Sequence, residues 1–145
     1  METEDSRTLV REAWAAFASR DASRIAAVFA EDAEWIAPQA NGTAAAFKSP
    51  AGFKGAEAIA TFIAKDMRRL FLDVKIDFRG VYADGPIVVV EERMTASLPR
   101  GGRYENDYCF VFECREGRIA RVREYMDTLN SYRQLFTDGP PLDGV

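Results

Sequence analysis

The chain has 145 residues, 48% apolar and 29% charged, which suits a single soluble domain over 1–145 with a sizeable core. Its net charge is −4 with no long basic run, which argues against nucleic acid or an anionic membrane as partner, and no apolar run approaches the roughly 20 residues that span a bilayer. Histidine is absent, which excludes Ser-His-Asp and Cys-His catalysis and removes the commonest zinc and copper ligands.

The N-terminus, METEDSRTLVREAW, is acidic and lacks an apolar signal core, so a cytoplasmic protein is expected. Val10, Ala13, Trp14 and Phe17 recur at helical spacing and predict a helix over 6–19. Asp21 suits the N-cap of a short second helix carrying Ile25, Val28 and Phe29. Residues 34–37 predict a short strand stopped by Pro38. The next stretch, QANGTAAAFKSPAGFK, predicts a long loop over 39–54, of the kind that often forms a lid or an entrance. A third helix follows Gly55, with Ile59, Phe62, Ile63 and Met67 as its buried stripe.

From Leu72 the period changes to two: Leu72, Val74, Ile76 and Phe78 alternate with Asp73, Lys75, Asp77 and Arg79. Asp84-Gly85 signals a hairpin, followed by strands over 86–97 and 103–114 with a turn between them. Cys109 and Cys114, five apart on one strand, would point to opposite faces, a poor geometry for a disulfide. A turn at 115–117 leads into a last strand, then a short helix over 130–136 and a Gly/Pro-rich tail. Helices followed by hairpin-linked strands predict an α+β domain. A strongly bent antiparallel sheet folded around those helices would enclose a cone with an apolar interior.

The last strand, GRIARVREYMDTL, carries the main chemical clue. Ala120, Val122, Glu124 and Met126 share one face, and Arg121, Arg123, Tyr125 and Asp127 the other. One acid therefore interrupts an apolar face, which costs free energy unless the acid is paired, hydrogen-bonded or protonated. In the strand over 86–97, Val89, Glu91, Arg93 and Thr95 share a face, and Val88, Val90, Glu92 and Met94 the opposite one. Tyr104, Asn106, Tyr108, Phe110 and Phe112 form an aromatic face on the next strand. If Glu124, Arg93 and Tyr108 share a concave interior, desolvation and the guanidinium would together poise Glu124 near neutral pH as an acid/base. Tyr108 and Asn106 would then donate hydrogen bonds to a substrate oxygen. The structural alternatives are a cross-strand Glu–Arg ion pair, and Trp14, Trp35 and Tyr108 as plain core aromatics.

The succession REAWAAFASRDASRIAAVFAEDAEW, a loop, GAEAIATFIAKDMRRLF, and strands ending EGRIARVREYMDTL resembles the nuclear-transport-factor-2-like superfamily. Within it the chain is similar to SnoaL-like proteins and to the limonene-epoxide-hydrolase-like branch. The resemblance implies a cone-shaped curved antiparallel sheet closed by N-terminal helices, the cystatin-like roll, with a deep apolar pocket. It also implies a homodimer and chemistry that needs no metal or cofactor. The Asp-Arg-Asp triad of the epoxide hydrolases places its final-strand acid on Glu124 and its arginine on Arg93. Thr95 then takes the remaining position; in an ungapped register Glu91 and Arg93 occupy the two positions in swapped order. The tyrosine and asparagine that hold the hydrolytic water fall near Trp35 and Ala37. The ketosteroid isomerase base falls on Ala37, and its oxyanion donors near Ala13 and Tyr108. The final-sheet acid that SnoaL-like cyclases use for an aldol closure falls on Glu124. The family's pocket positions fall on Leu70, Phe71, Val74, Ile76, Asn106, Tyr108 and Met126. The resemblance thus implies a small hydrophobic substrate, aromatic or terpenoid-like, undergoing aldol, retro-aldol, lyase or isomerase chemistry. Epoxide hydrolysis is one alternative, and a non-catalytic ligand-binding or dimerisation module is another.

Overall fold

Helix α1 (Thr3–Ser19) buries Leu9, Val10, Ala13, Ala16 and Phe17, the stripe that the 3.6-residue period requires. Arg20 ends it in a left-handed conformation, φ 57°. Asp21 caps α2 (Ala22–Ala27) by accepting hydrogen bonds from the Ser23 and Arg24 amides. The computed structural model describes residues 1–136; the Gly/Pro-rich tail lies outside the described residues.

Six strands form one curved, unclosed sheet around α1, so the architecture is the α+β cone expected. They are β1 (Phe29–Ile36), β2 (Gly52–Lys54), β3 (Leu72–Asp84), β4 (Ile87–Ser97), β5 (Arg103–Arg115) and β6 (Arg118–Met126). Their order across the sheet is β2-β1-β6-β5-β4-β3. Every neighbouring pair is antiparallel except β1 and β6, which run parallel with Trp35 beside Val122. That pairing brings the first strand against the last and sets Trp35 next to Glu124. β1 is longer than its sequence signal, because Phe29, Ala30 and Ala33 bury against the helices as its opening turn of sheet. Two tight turns set the registers. Gly85 supplies the positive φ, 55°, ahead of Pro86, and Glu116-Gly117 are both left-handed, at 50° and 79°.

The stretch at 39–54 is not a plain loop. It folds into α3 (Gly42–Phe47) and strand β2. Asn41 drives this: its side chain accepts from the Ala44 amide at 2.8 Å and donates to the Pro38 carbonyl at 2.6 Å. Gly42 sits against α5 (Thr128–Leu135), where an added Cβ would lie 2.9 Å from Ser131 Oγ and Leu135 Cδ1. α4 (Ala56–Thr61) runs on through a π-helical turn (Phe62–Asp66) and a 3-10 turn (Met67–Arg69).

The core has two parts. Val10, Phe17, Ile25, Val88, Val90, Phe112 and Val122 pack where α1, α2 and α4 meet the sheet. Phe71, Met94, Ala96, Tyr104 and Leu135 form a second cluster under α5. Cys109 and Cys114 are unpaired. Among the described residues no helix is long and apolar enough to cross a membrane.

Candidate active site

A cavity of about 840 Å³ opens between the concave face of the sheet and the helices. Aromatic side chains hold its walls apart: Trp14 packs edge-on against Phe17, Phe78 and Phe110, and Trp35 against Phe17 and Phe110. Alanines at 15, 18, 37, 44 and 51 line it without filling it.

Two carboxyl groups look into the apolar interior, Glu124 from β6 and Glu92 from β4, while a third lining acid, Asp73, is exposed. Glu124 stands opposite Phe110, and its Oε1 accepts a hydrogen bond from Trp35 Nε1 at 3.1 Å. Desolvation lifts its pKa from the ordinary 4.5 to about 7, against the indole N–H, which favours the ionised form. Glu92 is only 3% exposed and stands opposite Tyr108. Its Oε2 meets no hydrogen-bond partner. Desolvation, then the charge of Glu124, raise its pKa to about 8. The two acids therefore differ in kind: one has a donor that stabilises its negative charge, and the other has none. Near neutral pH Glu92 holds its proton while Glu124 is poised to lose its own.

Tyr108 lies between β4 and β6, facing both acids, and its phenol is pushed well above the ordinary value by burial, then by Tyr104, Glu124 and Glu92. Its hydroxyl is 2.6 Å from that of Tyr104, which donates to Ser131 Oγ at 3.1 Å and receives from Asn106 Nδ2 at 3.3 Å. With the Tyr104 proton on Ser131, Tyr108 gives its own to Tyr104. Among the described residues no group of three or more His, Cys, Asp or Glu is placed to hold a metal ion.

Glu124, Tyr108, Trp35, Phe71, Val74, Ile76 and Met126 all line the cavity. Five expected residues do not. Arg93 lies on the outer face of the sheet, where its Nη1 donates to Asp107 at 3.0 Å and its Nη2 to Glu105 at 3.2 Å. Glu91 and Thr95 share that outer face, Glu91 beside Cys109 and Thr95 beside Glu105. The reason is the β4–β5 register: Glu92 pairs with Tyr108 and Met94 with Asn106, so the even-numbered residues of β4 turn inward with the aromatic face of β5. Asn106 is buried but fully used within the fold. It donates to Tyr104 and to the Asp127 carbonyl, and its Oδ1 accepts from Asn130 Nδ2 and the Asp107 amide. Leu70 packs into the cluster under α5 and does not line the cavity. Glu92, by contrast, carries the same signal as Glu124: one acid in an apolar alternation of Val88, Val90, Met94 and Ala96.

These placements make two predictions. Arg93→Gln will leave turnover within about twofold of wild type and the melting temperature nearly unchanged, because exposed ion pairs contribute little. Trp35→Phe will raise the Glu124 pKa from about 7 to about 8, since a hydrogen bond to a charged group is worth about 1.5 kcal/mol. The carboxyl resonance of ¹³C-labelled glutamate reads that change, and an unmoved resonance would show the indole bond to be idle.

A family model for the SnoaL-like domain matches residues 10–132. The chain belongs to the SnoaL-like family. A search of curated proteins gave no match. Among solved structures, an NTF2-like protein from Burkholderia xenovorans LB400 is 26% identical with a TM-score of 0.77, covering 94% of this chain and 99% of its own. Bal32a, from a soil-derived mobile gene cassette, is 27% identical with a TM-score of 0.75, covering 93% and 98%. An LEH-like epoxide hydrolase from M. tuberculosis is 20% identical with a TM-score of 0.72, covering 94% and 92%. The SnoaL-like assignment thus covers the whole cavity-forming part of the chain.

Proposed function

We propose that this SnoaL-like chain is an acid–base enzyme, independent of metal and cofactor, acting on a small, mostly apolar, oxygenated substrate. Glu124 removes a proton from carbon next to a carbonyl. The electron pair of the broken C–H bond forms a carbon–carbon double bond as the C=O π pair moves onto oxygen, giving an enolate-like state. Glu92, neutral and with a free oxygen, donates a hydrogen bond to that oxygen. The proton then returns to carbon, at the same or another position, or the enolate carbon adds to a second carbonyl in an aldol step and Glu124 passes the proton to the alkoxide so formed.

One observation supports this reading above the others: two carboxyls of unequal environment share one apolar cavity. Epoxide hydrolysis of the limonene type needs a guanidinium between its acids, and Arg93 faces away. The test is solvent exchange. In D₂O, a panel of enolisable aromatic and alicyclic ketones should gain deuterium next to the carbonyl faster with the protein than without it. In H₂¹⁸O a hydrolase would instead label a diol formed from an epoxide. A pure ligand-binding module would bind panel members and catalyse neither. Absence of exchange across the panel, with binding retained, would overturn the proposal.

A further inference from the structure

The two acids stand on the sheet wall of the cavity, and the opposite, helical wall carries cations. Arg11, Trp14, Ala15 and Ala18 follow helical spacing along α1 and line the cavity, and Arg20 lies just beyond its end. Arg68, from the 3-10 turn, lines the same space. None of these three guanidiniums forms an ion pair among the described residues; the acid on this lining, Asp73, is exposed. Arg20 is half-buried and fixed. Its backbone is held at the left-handed helix end, and its Nη1 donates to the Ile63 carbonyl of the π-helical turn at 3.1 Å. That bond ties α1 to the segment carrying Arg68 and leaves the remaining Arg20 donors uncommitted. Burial, then the charge of Arg68, lowers the Arg20 pKa. Two guanidiniums that line one cavity, neither in an ion pair among the described residues, would both gain from an oxyanion placed between them.

We infer that the ligand is a hydrophobic organic acid, its carboxylate bound by Arg20 and Arg68 and its apolar body in the cavity. The inference rests on the proposed function only for which end reacts: the carbonyl end lies at Glu124 and Glu92, across the cavity from the carboxylate. The arrangement sets orientation as well as affinity. A carboxylate pushed toward the sheet meets two acids, one of them poised to ionise near neutral pH, whereas at the helical wall it meets guanidiniums. Phosphate monoesters share the oxyanion chemistry but carry about two charges and a larger hydration shell, which suits the half-buried Arg20 less well.

Matched probes test this by binding alone. Naphthylacetate, its neutral amide and naphthyl phosphate are titrated calorimetrically into the full chain at low salt. The carboxylate should bind about tenfold more tightly than the amide, the preference expected of a charge-assisted hydrogen bond, and that preference should shrink in 1 M NaCl. Arg68→Gln, which removes an exposed side chain, should reduce the preference at least threefold while the amide's affinity moves less than twofold. Arg20→Lys keeps the charge but loses the fork, and guards against a folding defect in Arg20→Gln. Equal affinity for acid and amide, a preference for the phosphate, or a carboxylate preference untouched in both Arg68→Gln and Arg20→Gln would overturn the inference. A chain that prefers the acid yet never exchanges deuterium would sink the acid–base reading and leave this one intact.

Discussion

Glu124→Gln will lower deuterium exchange into the ketone panel by about a thousandfold, the range over which a positioned acid–base group acts. The substitution keeps the shape of the side chain and its bond from Trp35, because the amide oxygen still accepts from Nε1. It also removes a group that folding strips of water, so the variant should melt no lower than wild type at pH 8. Loss of activity with unchanged circular dichroism and melting is the expected pair of results. Undiminished exchange would remove Glu124 from the chemistry. In wild type the rate should rise as Glu124 ionises near pH 7 and fall as Glu92 loses its proton near pH 8. The two acids interact, so that narrow bell belongs to the pair rather than to either residue alone.

Glu92→Gln will stabilise the protein at alkaline pH while lowering turnover. The folded pKa of Glu92, about 8, lies above its ordinary 4.5. Between those values the folded chain keeps a proton that the unfolded chain releases, so the contribution of Glu92 to stability is full below pH 4.5 and falls as pH rises through 8. Glu124 adds a slope of the same sign up to about pH 7. Replacing Glu92 by the neutral amide should recover about 3 kcal/mol at pH 9, allowing for water that enters the cavity, and almost nothing at pH 4. Urea unfolding at pH 4, 7 and 9 measures this directly. An unchanged pH slope in the variant would mean that Glu92 is already solvated when folded, and the unequal pair would lose its acid. A residue that weakens the fold in this way is expected where activity needs a buried neutral carboxyl.

The neighbourhood of these residues divides what is local from what is not. Period-two alternation is a property of the strand itself, so Leu72 to Phe78, the aromatic face of β5 and the intrusion of Glu124 among apolar residues are all written in short stretches of chain. The same alternation marks Glu92, flanked by Val88, Val90 and Met94. Chemical complementarity between Glu124 and a nearby arginine points instead to the face of Arg93, and the register of β4 on β5 overrules it. Trp35 shows the converse case. As a residue it reads as a core aromatic, and it reaches Glu124 only because β1 pairs in parallel with β6, 89 positions away in sequence.

By itself, then, the sequence determined the order of helices and strands outside 39–54, the alternating faces of the long strands, and the presence of an acid where water would be scarce. Each of these depends on side chains within a few residues of one another. Only the tertiary structure decided which face of β4 turns inward, that two acids share one cavity opposite a cationic wall, and that the stretch after Pro38 folds against α5. Those outcomes arise from contacts between distant segments, and a carboxyl's pKa is set by everything that surrounds it rather than by its neighbours along the chain.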